Sequence, residues 1–249
     1  MIGLLRERGR ASVAEFAEHL AVGPATVRRD LERLSRAGRL IRTYGGAVFG
    51  AHAPADPEAA EAIAQKRAIG TAAAEMVRDG QTIVISSGST TAELARRLID
   101  RRRLTVITNA LDVAETLIDC EGIEVIVLGG VVRPRMHSLL GHLTELAANE
   151  LRADTLFMGI PAISLEHGLM SDHMPEILGD RAMRRMVRDV VVLADSRKFQ
   201  RVAPAYVFGL EDVSTIITDD GVPMHVRAAL GRRGIRVVVA AVTPPAGEP

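Results

Sequence analysis

The first fifty residues alternate between short helical patterns and one glycine-centred hairpin pattern. A capping box from Ser12 to Glu15 predicts a helix that begins at residue 13, and Gly23-Pro24 predicts its end and the start of the next helix. This next helix carries an apolar stripe at helical spacing, made of Val27, Leu31 and Leu34. Two strands, 40–44 and 47–49, then flank the turn Gly45-Gly46. With a short helix over 2–8, inside which the chain is expected to begin, this order predicts a winged helix-turn-helix over residues 1–49.

After residue 57 the pattern changes to short apolar runs that alternate with helical stretches. Runs rich in Val, Ile and Leu predict strands at 82–86, 104–108, 123–128, 155–159, 190–194, 206–208, 215–218 and 235–240. Helices are predicted at 59–78, 90–100, 110–119, 141–151 and 176–188. Because uninterrupted apolar strands are typical of sheets buried on both faces, we expect a mostly parallel α/β domain over residues 58–242. Residues 50–57 (GAHAPADP) are expected to be a linker, and residues 243–249 a disordered tail.

Positive charge is concentrated in the first of these two domains, although the whole chain is neutral. Residues 1–49 hold nine arginines and five acidic residues, a net charge of +4, which leaves −4 for the rest. When the apolar stripe of the second helix packs inward, Arg29 lies on the opposite face, flanked by Thr26, Arg28 and Arg33. Side chains at the start of such a helix can meet base edges in the major groove, so double-stranded DNA is the expected partner. The alternative is a small helical bundle whose arginine face is only solvated.

Composition limits where the protein works and what it carries. Cys120 is the single cysteine, so no internal disulfide can form, and we interpret it as an inert core residue. No signal-peptide pattern follows Met1, and no apolar run reaches the roughly 18 residues of a membrane helix. A cytoplasmic protein without membrane contact is therefore expected. The histidines show no metal-ligand spacing, and we expect neither a metal nor a cofactor.

Small and charged residues follow several of the predicted strands in the larger domain. The run Ser86 to Thr91 follows a strand and opens a helix, an arrangement that can cradle phosphate; a local capping box, Thr90 to Glu93, would equally explain its hydroxyls. Other strand ends carry Asn109, Gly129-Gly130 with Arg133, and Asp195 with Lys198. Ligands of open α/β sheets bind at the carboxyl ends of strands, so these residues are expected to converge there. Singly, each is better explained as a turn residue or a surface charge, and it is their convergence that favours a binding site.

The N-terminal run Val22 to Leu31 (VGPATVRRDL), followed by Leu34, Gly38, Leu40 and Tyr44-Gly45-Gly46-Ala47, closely resembles the DNA-binding module of the DeoR family of bacterial sugar-metabolism repressors. The resemblance implies that Thr26, Arg28 and Arg29 contact operator DNA and that Tyr44, Gly45 and Gly46 form the wing. Two residues depart from the family pattern. Gly23 stands where Ser is usual, and Tyr44 stands where His is common.

The larger domain resembles the DeoR-type effector domain, which is itself similar in fold to ribose-5-phosphate isomerase. The segments that carry the resemblance are ISSGSTT, LTVITNAL, VIVLGGVVR, TLFMGI, GLMSD, VVLADSRKF and ITDD. It implies a phosphorylated sugar effector, with Gly88, Ser89, Thr90 and Thr91 around the phosphate. The further pocket residues that it implies are Asn109, Gly130, Arg133, Asp195 and Lys198. Ser86 replaces a common Asp, and Asp180 stands where Lys is common, so the effector of this chain can differ from those of its relatives.

Taken together, these patterns predict a repressor of a carbohydrate-metabolism operon, controlled by a phosphorylated sugar. One small reading head makes few contacts, so we expect a homo-oligomer that presents paired heads to its operator. The alternative function is a phosphosugar isomerase that carries an accessory DNA-binding module. An isomerase needs a positioned carboxylate base, and the replacement at Ser86 argues against one, so no enzymatic activity is expected.

Overall fold

A computed structural model describes residues 1, 4–5, 10–36, 40–43, 45–48, 57–134 and 136–242. At 10, 36, 41–43, 48 and 57–60 it describes the backbone only. The chain divides into two compact units, Met1–Glu61 and Ala62–Pro249. The boundary lies inside a helix that begins at Pro57, so the last residue of the expected linker is helical. The rest of that segment, and the tail 243–249, lie outside the described residues.

The described part of the first unit contains two complete helices and a small antiparallel sheet. Of the helix predicted over 2–8, Leu4 and Leu5 are described and are helical, and the other residues lie outside the described ones. Helix α1 spans Val13–Leu20 and α2 spans Pro24–Arg36. The strands are β1 (Arg10–Ser12), β2 (Ile41–Thr43) and β3 (Gly46–Val48), in the order β1-β3-β2. The capping box at Ser12 is confirmed: its hydroxyl accepts from the N–H of Glu15, and the Glu15 carboxylate accepts from the N–H of Ser12. The sequence did not predict β1, which is only three residues long.

The core of the first unit explains both the stripe on α2 and the glycine pair of the turn. Val27 and Leu31 are fully buried together with Phe16. Gly45 has a φ of +95°, which favours glycine, and a Cβ at Gly46 would collide with the backbone of β1. The glycine pair therefore allows the turn and lets β1 and β3 approach closely.

The second unit is built on a seven-stranded parallel sheet, which confirms the predicted α/β class. Its strands are β4 (Thr82–Ile85), β5 (Leu104–Thr108), β6 (Ile123–Val127), β9 (Ala153–Gly159), β12 (Val187–Leu193), β14 (Thr215–Asp219) and β15 (Arg236–Ala240). The spatial order is β15-β14-β12-β9-β4-β5-β6. Alternate residues of β12 enter the cores on opposite faces of the sheet. Val190 and Val192 belong to one core, and Val191 and Leu193 belong to the other. Both faces are therefore buried, as the uninterrupted apolar runs predicted.

Helices cover both faces of this sheet. They are α3 (Pro57–Ala74), α4 (Ser89–Ala95), α5 (Leu111–Leu117), α6 (His142–Glu150), α7 (Met174–Arg185) and α8 (Met224–Arg232). Side chains of α3, α4 and α5 enter one core, and those of α6, α7 and α8 enter the other. Three predicted helices continued too far: α3 ends at Ala74 rather than 78, α4 at Ala95 rather than 100, and α7 at Arg185 rather than 188. The strand expected at 190–194 begins earlier, at Val187. Helix α8 was not predicted.

Two small antiparallel sheets accompany the large one. Strands β7 (Val131–Arg133) and β8 (Ser138–Leu140) form a hairpin. Strands β10 (Ala162–Ser164), β11 (Gly168–Ser171) and β13 (Ala205–Phe208) form a three-stranded sheet. The predicted strand 206–208 exists, but it belongs to this small sheet rather than to the large one. Four of these strands were missed, since three or four residues are too few to show an alternating pattern.

Candidate functional site

The outward face of α2 is exposed and basic at its start. Thr26, Arg28 and Arg29 are exposed, whereas Val27 between them is buried. Within the described part of the chain, Arg28 and Arg29 form no ion pair, so their guanidinium groups are available to a ligand. Arg33 lies one turn further along and pairs with Asp30 at 3.5 Å. This face can donate hydrogen bonds to base edges or phosphates.

The wing residues are placed less completely. Gly45 is exposed at the turn, but Gly46 is buried inside the small sheet, where it has a packing role and presents no surface. Tyr44 lies outside the described residues. Of the three wing residues that the resemblance implies, Gly45 is the one that the structure describes on the surface.

A cavity of about 370 Å³ opens at the carboxyl ends of β4, β9 and β12. Six of the nine predicted effector residues line it: Gly88, Ser89, Thr90, Arg133, Asp195 and Lys198. The residues that the sequence analysis did not select include Lys66, Ser87, Met136, Gly159, Ile160, Pro161, Ser171, Asp172, Glu176, Arg197 and Arg201. Both departures from the family pattern, Ser86 and Asp180, also lie in its wall. The volume is within the range of sites for small molecules.

The loop after β4 forms one wall of the cavity, and a glycine determines its backbone conformation. Gly88 has φ 151° and ψ 152°, a region that essentially only glycine adopts. The Thr91 hydroxyl donates to the Gly88 carbonyl at 2.8 Å. The alternative explanation of these hydroxyls, a capping box from Thr90 to Glu93, is wrong. Gly88 is the N-cap without a side-chain cap, and Glu93 binds Arg96 and Arg97 instead. Because a first turn has no intrahelical acceptors for its N–H groups, those at Ser89 and Thr90 can donate to a ligand.

Three predicted effector residues do not line the cavity. Asn109 is buried; its Oδ1 accepts from the N–H of Ser87 at 3.0 Å, and its Nδ2 donates to the carbonyl of Leu139. Thr91 is also fully buried. At Gly130, with φ +121°, a Cβ would collide with Thr144 and with the backbone of Leu140. These residues therefore shape the loops that carry the wall and do not line the cavity themselves.

The loop after β12 is held by a residue from the neighbouring strand. Asp219, at the end of β14, is fully buried, and its Oδ2 accepts from the N–H of Ser196 at 2.7 Å. Its Oδ1 accepts from Gly221 and, at 3.5 Å, from Gln65. Ser196 begins the short 3₁₀ turn Ser196–Phe199, which brings Arg197 and Lys198 to the cavity. The sequence could have indicated Asp219, because the segment ITDD ends a strand and neighbouring parallel strands end at the same edge of the sheet.

Most charges of the cavity neutralise one another in pairs. Arg133 contacts Glu176 at 2.6 Å, Arg197 contacts Asp195 at 2.9 Å, and Arg201 contacts Asp172 at 2.5 Å. Three lining residues lie outside these ion pairs in the described structure: Lys66, Lys198 and Asp180. Of the 31 basic residues in the chain, Lys66 and Lys198 are the lysines and all others are arginines. Both lysines line the cavity. Their rarity in an arginine-rich chain could have pointed to this site, and the sequence analysis selected only Lys198.

Burial and mutual interactions shift the ionisation of this group. Burial raises the pKa of Asp180 to about 7, and the carboxylate of Glu176, one helical turn away, adds to the effect. Burial also lowers the pKa of Lys66, although the nearby Asp195 opposes the shift. For Asp195, burial acts to raise the pKa, but Arg197, Lys198 and Lys66 together lower it below the usual value. At neutral pH the cavity therefore holds an ionised Asp195 and an Asp180 that is only partly ionised.

Gly88→Ala is expected to lower the free energy of unfolding by roughly 1–3 kcal/mol, since a side chain is forced into a region of φ and ψ that glycine alone occupies easily. A Cβ there would also lie 3.2 Å from the Thr91 hydroxyl oxygen. Chemical denaturation measures the change. Gly231→Ala, inside α8 with open space around it, is the matched control and is expected to stabilise. Equal effects of the two substitutions would contradict the strained loop.

The described residues contain no group of three or more His, Cys, Asp or Glu side chains that could hold a metal ion. None of the described helices is both long enough and apolar enough to cross a membrane.

The chain is similar to known regulators over nearly its whole length. Residues 1–52 match the profile of the DeoR-like helix-turn-helix domain, and residues 61–220 match that of the DeoR C terminal sensor domain. The transcriptional repressor AccR of Agrobacterium fabrum is 35% identical over 226 residues, 89% of this chain and 88% of the relative. The glycerol-3-phosphate regulon repressor of Escherichia coli is 30% identical over 233 residues, 92% of each chain.

Solved structures resemble parts of the chain more distantly. Ribose 5-phosphate isomerase A from Methanocaldococcus jannaschii aligns with a TM-score of 0.40 and 20% identity, over 54% of this chain and 53% of that one. The delta subunit of eIF2B from Chaetomium thermophilum aligns with a TM-score of 0.43 and 19% identity, over 71% and 55%.

Proposed function

Because the chain belongs to the DeoR family of transcriptional regulators, we propose that it is a DNA-binding repressor of a carbohydrate-metabolism operon and that a phosphorylated sugar controls it. One observation carries the proposal: a single chain holds both an exposed arginine-bearing helix and a cavity to which both of its lysines contribute. The relatives named above are repressors, and one of them is named for a phosphorylated polyol.

Operator recognition is assigned to the start of α2. Arg28 and Arg29 can each clamp a guanine edge or neutralise a phosphate, and Thr26 can bond a phosphate or touch a thymine methyl. Gly45, with Tyr44 and Gly46, belongs to the wing. Arg33, one turn further along α2, is a further DNA contact of the same face. A second copy of the chain would place a second head on the other half of the operator, so the active form is a homo-oligomer.

Effector recognition is assigned to the cavity. The N–H groups of Ser89 and Thr90, next to Gly88 with its lack of a side chain, donate to the phosphate. Lys66 and Lys198 supply the positive charge that balances it. Arg133 and Asp195 lie in the wall and contact the sugar. Binding the effector shifts the balance between arrangements of the paired heads, and so changes operator affinity. The protein works in the cytoplasm, where operator DNA and sugar phosphates occur together.

An electrophoretic mobility shift with DNA flanking the chain's own gene tests the proposal. We expect a specific complex at nanomolar protein, stable against competitor DNA, that one class of sugar phosphate weakens or strengthens. Unphosphorylated sugars should have no effect. A chain that forms no specific complex with this DNA, or a complex that no sugar phosphate alters, contradicts the corresponding half of the proposal.

The isomerase alternative is tested with the same protein. We expect no interconversion of aldose and ketose phosphates by the wild-type chain, since its relatives are named repressors. Turnover of roughly 1 per second or more would overturn the regulator-only proposal.

A further inference from the structure

The charges left over in the cavity differ in sign. Three ion pairs neutralise six of its charged side chains, and the remainder are the cationic Lys66 and Lys198 and the acidic Asp180. A phosphate dianion matches the two lysines. It does not match the ionised form of Asp180, which repels phosphate. Asp180 is therefore a position in the wall for a second, different group of the ligand.

Asp180 is placed where the protein itself offers it no cation. It lies on α7 four residues after Glu176, on the same face of the helix. Glu176 already accepts from Arg133 at 2.6 Å and from Ser138 at 3.1 Å through its Oε1. Among the described residues, no hydrogen bond or ion pair engages Asp180. The charged group that acts on its pKa is Glu176, which is also a carboxylate and raises that pKa.

A second observation shows that this cavity is built to receive polar groups. Asp195 is 1% exposed, and its Oδ1 accepts from Arg197, but its Oδ2 has no hydrogen-bond partner in the structure. Buried carboxylate oxygens are nearly always paired, so an unpartnered one in a cavity wall indicates a donor that the ligand supplies. A sugar hydroxyl meets that need at Asp195.

We propose, on the basis of the proposed function, that the effector is an amino-sugar phosphate, whose phosphate faces Lys66 and Lys198 and whose ammonium group faces Asp180. A hydroxyl could also donate to Asp180, but a neutral donor brings no positive charge to a carboxylate that none of the cavity's ion pairs includes. An ammonium both donates hydrogen bonds and supplies the missing positive charge. The raised pKa of Asp180, about 7, agrees with this geometry, because a carboxylate without a cation resists ionisation.

Matched ligand pairs test the inference with the full-length chain at about pH 7. The pairs are glucosamine 6-phosphate with glucose 6-phosphate, and galactosamine 6-phosphate with galactose 6-phosphate, measured by calorimetry. We expect at least one amino sugar to bind about tenfold more tightly than its hydroxyl partner. N-acetylglucosamine 6-phosphate, which keeps the nitrogen and loses the charge, should lose this advantage.

Asp180→Asn keeps the shape of the side chain and removes its charge, so it should abolish the preference for the amine. Its affinity for inorganic phosphate, the probe of the lysine end, should not fall, and this reading also shows that the variant is folded. Asp189→Asn, at an exposed position outside the cavity, is the matched control and should keep the preference. If the Asp180 variant fails to fold, the wild-type pairs and the acetylated sugar decide the question alone.

The outcomes separate the inference from the function on which it rests. Equal binding of amino and hydroxyl sugars, or a preference that survives in Asp180→Asn, overturns the inference and leaves a sugar-phosphate regulator standing. If no sugar phosphate binds while the operator complex forms, the effector class fails and the inference fails with it.

Discussion

Arg29→Ala is expected to abolish specific operator binding and to leave the fold and the oligomer intact. The Arg29 side chain is exposed on the face of α2 opposite Val27 and Leu31, so its removal disturbs no core contact. A lost base contact costs roughly 1–3 kcal/mol, and the loss occurs in each head of a paired assembly. Operator affinity should therefore fall by at least about 30-fold.

Titration of labelled operator DNA measures this loss, with circular dichroism and light scattering to follow fold and assembly. Arg188→Ala, which removes an exposed arginine of the second unit, is the control for net charge and should leave affinity unchanged. Binding of the wild type should weaken steeply as salt rises, because phosphate contacts release counterions. Unchanged operator affinity of the Arg29 variant would mean that another surface reads the DNA.

Replacing both lysines, Lys66→Gln with Lys198→Gln, is expected to remove the response to sugar phosphate while operator binding persists. Hydrogen bonds to charged groups contribute roughly 1.5–3 kcal/mol each, so losing both lysines should weaken effector binding by about 100-fold or more. Burial lowers the pKa of Lys66, whereas the nearby Asp195 opposes the shift, so the substitution removes both a buried charge and an attraction to Asp195. Circular dichroism should therefore accompany the binding measurement, to show that the double variant is folded.

A reporter gene under the operator measures the response, and calorimetry with sugar phosphate measures binding. Lys66→Arg with Lys198→Arg keeps both charges and should retain part of the affinity, which distinguishes a phosphate contact from a structural role. Arg188→Gln is the control outside the cavity. A Gln double variant that responds with normal affinity would place the phosphate elsewhere, away from both lysines.

The features that sequence alone determined are those with a local cause. The capping box at Ser12, the proline that starts α2 and the stripe of Val27 and Leu31 each depend on residues within two turns of one another. The strands of the large sheet were predicted because both of their faces are buried, which makes the apolar run continuous. The ends of α3 and α4 were predicted too far along, because Val77 and Leu98 beyond them are buried and continue the apolar pattern. Their N–H groups bond to Ala74 and Ala95, three residues back, so the chain there turns without continuing the α-helix.

The cavity was only partly accessible to such reasoning. Residues that directly follow a strand, such as Gly88 and Asp195, could be assigned to the carboxyl edge from their position alone. Asn109 and Gly130 also follow strands, yet neither lines the cavity. The Asn109 amide is held by Ser87 and Leu139, and Gly130 lies where a Cβ would collide with Thr144. The sequence shows that the two lysines are exceptions in an arginine-rich chain. It does not show that both lie in the wall of one cavity.

Only the tertiary structure decided which charges are paired. Asp172, Glu176 and Asp195 each meet an arginine, and two of these arginines, Arg133 and Arg201, lie 43 and 29 residues away along the chain. Asp180 meets none. A sequence lists charges without their distances, and because an ion pair depends on a few ångströms, the fold alone determines which residues remain for a ligand.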